Sequence, residues 1–131
     1  EQADAIVVDF HAEATSERQA IAHYRDGRVT LVVGTDTHVP TSDYRVMAGG
    51  TAFQSDVGMC GDYNSVIGMN HEEPLRRFLQ KVPGERFSPA DGPATLAGIA
   101  VEIDEATGHA TAVAPLRLGG VLSETLPAFW S

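Results

Sequence analysis

Two β-branched apolar runs, Ala5 to Phe10 and Val29 to Val33, lie either side of a single helix-length segment, and that spacing constrains the fold more than any other feature. The first run is interrupted only by Asp9, as befits a strand covered on both faces. Ser16 can cap a helix continuing through Glu17, Arg18, Gln19, Ala20, Ile21, Ala22, His23 and Tyr24, with Asp26-Gly27 stopping it. A strand, helix and strand in so short a length predict a parallel pair with a right-handed crossover. Each run is followed by a histidine, His11 after the first and His38 after the second. In an open α/β sheet, residues just beyond the carboxyl ends of strands line the ligand crevice, so the two histidines are expected to converge.

Beyond the second strand, Gly34 to Asp43 is polar and holds Pro40, which reads as a loop. Tyr44 to Met47 and Thr51 to Ser55 flank Ala48-Gly49-Gly50, a hairpin signal. Asp56 to Asn64 has no clear period and reads as a glycine-containing loop. A helix is expected from about Pro74 to Lys81, with Leu75, Phe78 and Leu79 on one face and Pro83-Gly84 ending it. Ala94 to Ile103 and Ala110 to Leu118 alternate as two antiparallel strands joined through Asp104 to Gly108. The expected class is α/β, with a mixed sheet and antiparallel C-terminal strands.

The composition narrows the function. A net charge of −9, with nine basic residues scattered among eighteen acidic ones, excludes a general nucleic-acid binder, which needs clustered Lys and Arg. The single cysteine, Cys60, rules out an internal disulfide and suits a reducing compartment. It is expected to be a partly buried small hydrophobe. No apolar run approaches the roughly 20 residues that span a bilayer. These features lead to an expectation of a cytoplasmic protein without a membrane partner. The sequence opens at Glu1 and enters an apolar strand almost at once, which suggests a cut inside a larger domain.

The chemistry centres on His11, Asp36 and His38. Neutral imidazole and carboxylate both ligate divalent transition metals. Asp36 and His38 are two apart, so an extended backbone would point them the same way. The bland alternative is that His38 bonds loop backbone and His11 caps the first helix; a short D-x-H pattern alone does not decide between them. Asp9 is a candidate acceptor for a histidine N–H, Glu13 and Thr15 are candidates to fix the loop before the helix, and Asp56 to orient the loop from Gly34 to His38. His71 and His109 are expected to be solvated, and Gly61-Asp62 to be a plain loop.

The segments V-D-F-H-A-E-A-T-S-E at 8 to 17, D-G-R-V at 26 to 29, V-V-G-T-D-T-H-V-P-T at 32 to 41, G-G-T-A-F-Q-S-D-V-G-M at 49 to 59, G-D-Y-N-S-V-I-G-M at 61 to 69 and E-E-P-L-R-R-F-L at 72 to 79 resemble, in order, the C-terminal half of the YmdB-type metallophosphoesterases of the calcineurin-like superfamily. The resemblance implies half of a four-layer α/β/β/α sandwich, with residues 1–131 as the C-terminal part of the domain and the N-terminal half absent. It implies two divalent metal ions, iron or manganese, and a hydroxide mechanism against phosphodiesters such as 2′,3′-cyclic nucleotides. By position, His11 and His38 would ligate different metals. Position 36 departs from the pattern, since the family has histidine in a G-T-H-T-H segment. The catalytic acid belongs to the family's other half, so none is assigned here. The expected partners are substrate and either the missing half or a second copy. The competing class is a non-catalytic remnant or binding module that keeps the fold without a complete site.

Overall fold

The structure, a computed structural model, describes residues 3–82 and 84–131. Strand β1 (Val7–His11) leads into helix α1 (Thr15–Arg25) and strand β2 (Leu31–Thr35); the short strands β3 (Arg45–Val46) and β4 (Ala52–Gln54) form a hairpin. Helix α2 (Glu72–Gln80) follows, then the long strands β5 (Leu96–Ile103) and β6 (Ala110–Leu118) and a 3-10 turn at Ala128–Trp130. The main sheet has the order β1-β2-β4-β3, with β1, β2 and β4 parallel and β3 antiparallel. Strands β5 and β6 form a separate antiparallel pair. The chain is therefore mixed α/β, with a mixed sheet and an antiparallel C-terminal pair.

Strand β2 explains how the layers are held. Val32 joins Ala22, Val29, Met47 and Phe53 in one buried cluster on the α1 side. Leu31 and Val33 join Ala52 and Ala110 in another, against which Ile99, Val101 and Val113 pack. Alternate side chains of one strand thus serve opposite faces, and a strand covered on both faces must be apolar throughout, as Leu-Val-Val is. The result is a helix layer, a four-stranded sheet and a two-stranded sheet.

Three local expectations are corrected. Helix α1 starts one residue before Ser16: its N-cap is Ala14, whose carbonyl accepts from the Glu17 and Arg18 amides. Ala14 has no capping oxygen, so the Glu17 carboxylate compensates by accepting from the Ala14 amide at 3.4 Å. Helix α2 begins at Glu72, with Pro74 inside its first turn, where a missing N–H costs nothing. It stops when Lys81 turns left-handed at φ 56°; Pro83, also expected as a stop, lies outside the described residues. Leu75, Phe78 and Leu79 are all exposed. His109 is half-buried rather than solvated, within 3.3 Å of the Gly27 carbonyl through Nε2.

Candidate metal centre at the ends of β1 and β2

The register of the parallel pair sets the site. His11 lies opposite Thr35, so the last residues of both strands meet, and Asp36 follows one residue beyond. The Thr35 hydroxyl donates to Asp9 Oδ1 at 3.1 Å. His11 Nδ1 lies 3.1 Å from the same hydroxyl oxygen. Because the hydroxyl proton goes to Asp9, that oxygen accepts, and His11 Nδ1 carries the proton. Thus Asp9 reaches the imidazole through Thr35 rather than directly, and His11 Nε2 faces Asp36 Oδ1 at 3.3 Å.

That juxtaposition has a chemical requirement. A neutral His11 protonated at Nδ1 presents a lone pair at Nε2, and Asp36 presents another. Two acceptors at 3.3 Å repel unless a proton or a cation lies between them. First-row metal bonds of about 2.0–2.2 Å place adjacent ligand atoms about 3 Å apart, so the two atoms fit neighbouring positions on one cation.

Arg18 supports the site from below. It lies on the face of α1 turned to the sheet and is 1% exposed. Its Nε and Nη2 donate to the Ala12 carbonyl, Nη1 to the Ser55 carbonyl and to Asp56 Oδ2, both at 3.3 Å. Nη2 also lies 3.7 Å from Asp36 Oδ2. Asp56, fully buried, accepts the Thr37 amide on Oδ2 at 2.8 Å and the Gly58 amide on Oδ1 at 2.9 Å. Asp56 therefore ties the loop carrying Asp36 and His38 to α1. Close packing at this point requires Gly34: a Cβ there would meet the Ser55 carbonyl oxygen at 1.8 Å and Arg18 Cδ at 2.6 Å.

The loop is conformationally unusual. Asp36 has φ 126° and His38 φ 66°, where side chains other than glycine's are uncommon and such outliers cluster at functional sites. His38 Nδ1 lies 2.9 Å from the Ile67 carbonyl oxygen, so His38 does bond loop backbone. The structure brings His11 to Asp36; among the described residues, no three His, Cys, Asp or Glu side chains are grouped closely enough to hold a metal ion. Glu13 is exposed. Nearby, burial pushes the Asp43 carboxyl up, but hydrogen bonds from the Ser55 hydroxyl, Thr41 and the Ser55 amide outweigh it and hold Asp43 below its ordinary value. Cys60 is exposed rather than partly buried, its Sγ 3.4 Å from the Ala97 carbonyl oxygen.

Arg18 and Thr35 were not singled out by the sequence. A helical arginine beside Glu17 reads as solvated, yet the isolated glycine in Val-Val-Gly-Thr was a usable signal, because glycine inside a strand marks close approach of other atoms.

Comparison with known proteins identifies the family. The sequence profile of the YmdB-like protein family matches residues 1–116. This chain belongs to that family. It is 47% identical over 108 residues to the 2′,3′-cyclic-nucleotide 2′-phosphodiesterase of Bacillus subtilis strain 168, covering 82% of the chain and 40% of that protein. A crystal structure of a hypothetical protein from Thermus thermophilus superposes with a TM-score of 0.83 at 43% identity, over 92% of the chain and 46% of that protein. The crystal structure of a phosphatase from Mycoplasma pneumoniae gives 0.82 at 41% identity, over 88% and 41%. This YmdB-like chain shares the fold of the two solved structures and spans less than half the length of each of these three relatives. No helix among the described residues is long and apolar enough to cross a membrane.

Proposed function

We propose that this YmdB-like chain is the C-terminal part of a calcineurin-like metallophosphoesterase domain and contributes His11, Asp36 and His38 to a two-cation site that hydrolyses phosphodiesters, with 2′,3′-cyclic nucleotides as the substrate class. The observation that carries this reading is the approach of His11 Nε2 to Asp36 Oδ1 at 3.3 Å, an arrangement of two facing acceptors that a cation satisfies. The family match and the activity named for the Bacillus relative support it.

When bound, two divalent cations, iron or manganese, supply Lewis acidity toward the phosphoryl oxygens and activate water for attack. The chain's own residues hold and orient. Asp9, through the Thr35 hydroxyl, keeps the His11 proton on Nδ1 and leaves Nε2 for coordination. Arg18 draws on Asp36 from the opposite side, which offsets some of the charge that carboxylate adds where the family carries a neutral imidazole. Asp56 fixes the loop so that Asp36 and His38 keep their strained backbones. The proton for the leaving alcohol is assigned, by the family resemblance, to a group in the family's other half.

The competing reading, a binding module without catalysis, draws on the grouping of only two of the three proposed ligands. Elemental analysis of the full gene product carrying this chain separates the two. We expect bound iron or manganese, less metal and less cyclic-nucleotide hydrolysis together in Asp36→Ala, and retention or a gain of both in Asp36→His. Unchanged metal and turnover in Asp36→Ala would make Asp36 a bystander, and a metal-free, inactive protein would establish the module.

A further inference from the structure

The segment Ser65-Val66-Ile67-Gly68-Met69 closes on itself. The Val66 and Met69 amides each donate to the other's carbonyl at 2.9 Å, leaving Ile67 and Gly68 as a two-residue turn. Such turns of the favoured kind need positive φ at both central positions, and here φ is 48° for Ile67 and 91° for Gly68. Glycine suits its place. A β-branched residue with positive φ is an outlier, and Ile67 is 55% exposed, so core packing does not account for it.

The turn is nevertheless held from several sides. Ser65 Oγ accepts from the Gly68 amide at 2.9 Å and donates to the Asp62 carbonyl. The Ala90 amide donates to the Gly68 carbonyl at 2.9 Å, and the Asn70 amide to the Ser88 carbonyl at 2.8 Å. What the turn presents is the Ile67 carbonyl, 2.9 Å from His38 Nδ1. A carbonyl oxygen only accepts, so His38 must carry a proton on Nδ1, and its Nε2 is freed.

We propose that Ile67 is a positioning residue: its main-chain carbonyl, held by the strained 65–69 turn, fixes the tautomer and ring orientation of His38 so that Nε2 is the atom offered to a cation. The cation rests on the function proposed above. The clip does not, because it is a contact between His38 Nδ1 and the Ile67 carbonyl oxygen within the chain. It matches the arrangement on His11, where the Thr35 hydroxyl takes the Nδ1 proton. Two histidines from different strand ends are thereby set in the same tautomer by local acceptors.

The test is long-range 1H–15N spectroscopy of the metal-stripped full gene product labelled with 15N-histidine, with His38 assigned by its loss in His38→Gln. We expect neutral His38 in the Nδ1–H form, opposite to the preference of free imidazole. Ile67→Gly keeps the carbonyl and accepts the φ, so it retains that tautomer and melts at a higher temperature. Ser65→Ala releases the Gly68 amide; His38 then averages between tautomers, and Mn2+ affinity by calorimetry falls about tenfold. An Nε2–H tautomer in the unaltered protein, or the same tautomer in Ser65→Ala and Ile67→Pro as in the parent, overturns the clip. A fixed Nδ1–H tautomer without any Mn2+ binding overturns the metal reading alone. Mn2+ binding with an averaged tautomer overturns the clip alone.

Discussion

Arg18 and the pair Arg76 and Arg77 use the same guanidinium–carboxylate chemistry in opposite settings. Arg18 and Asp56 are each 1% exposed and share their contacts with backbone carbonyls and amides from three segments. On α2, a helix with no buried residue, Glu73 receives Arg76 at 2.8 Å and Arg77 at 2.7 Å, and the arginines are about a third exposed. The shorter distances belong to the weaker arrangement. Water and salt can replace the α2 contacts, whereas nothing replaces a donor or acceptor lost from around Arg18. Geometry alone therefore misranks the two clusters, and burial with shared partners ranks them correctly.

The contrast is broken most directly at Arg18. Arg18→Leu strands buried Asp56 and should lower unfolding free energy by about 3–5 kcal/mol, read from urea denaturation. A loss below about 1 kcal/mol would place Arg18 in the same class as the α2 arginines. Next in size, Asp56→Asn keeps the shape but removes the charge that accepts Arg18 and the Thr37 amide. It should cost about 2 kcal/mol and reduce bound metal, because the loop carrying Asp36 and His38 loses its anchor. Ile67→Gly should act in the other direction, raising stability by about 1 kcal/mol by relief of positive φ.

The smallest effect is at Glu73. Hydrogen bonds from Arg76 and then Arg77 lower its carboxyl from 4.5 to about 2. A folded-state value below the unfolded one stabilises α2 above the unfolded value, and that contribution is lost as pH falls from about 4.5 to about 2. Glu73→Gln should flatten the acid-induced loss of helical circular dichroism in that window and leave metal content unchanged. A change in metal content would link α2 to the site and erase the contrast.

Much of the fold was legible because its signals are local. The apolar runs gave β1 and β2, each displaced by one or two residues toward the site, but only β2 is buried on both faces, as β1 alternates between exposed and half-buried residues; the alternation over 94–103 and 110–118 gave β5 and β6 closely. Asp26-Gly27 stopped α1 as expected, with the Asp26 carboxylate also receiving the Gly49 and Thr51 amides. The candidate site was legible only in part. Strand ends predicted that His11 and His38 would converge; the residue found against His11 is Asp36, and the one found against His38 Nδ1 is the Ile67 carbonyl. Arg18 escaped because its burial depends on three segments that no periodicity joins. Ile67 escaped because its function resides in a backbone carbonyl, to which the side chain gives no clue.

The sequence separations of the site's contacts carry a consequence for folding order. His11 and Thr35 are 24 residues apart, His38 and Ile67 29, and Arg18 and Asp56 38, whereas β5 and β6 need only the short connection from Asp104 to His109 to close. Local hairpins form within about 1–10 μs, and contacts across long loops come later because closure entropy is spent before they reward it. The proposed ligand set is then assembled at the end of folding, too late to seed it. A cation bound there would slow escape from the finished state and leave the rate of reaching it unchanged.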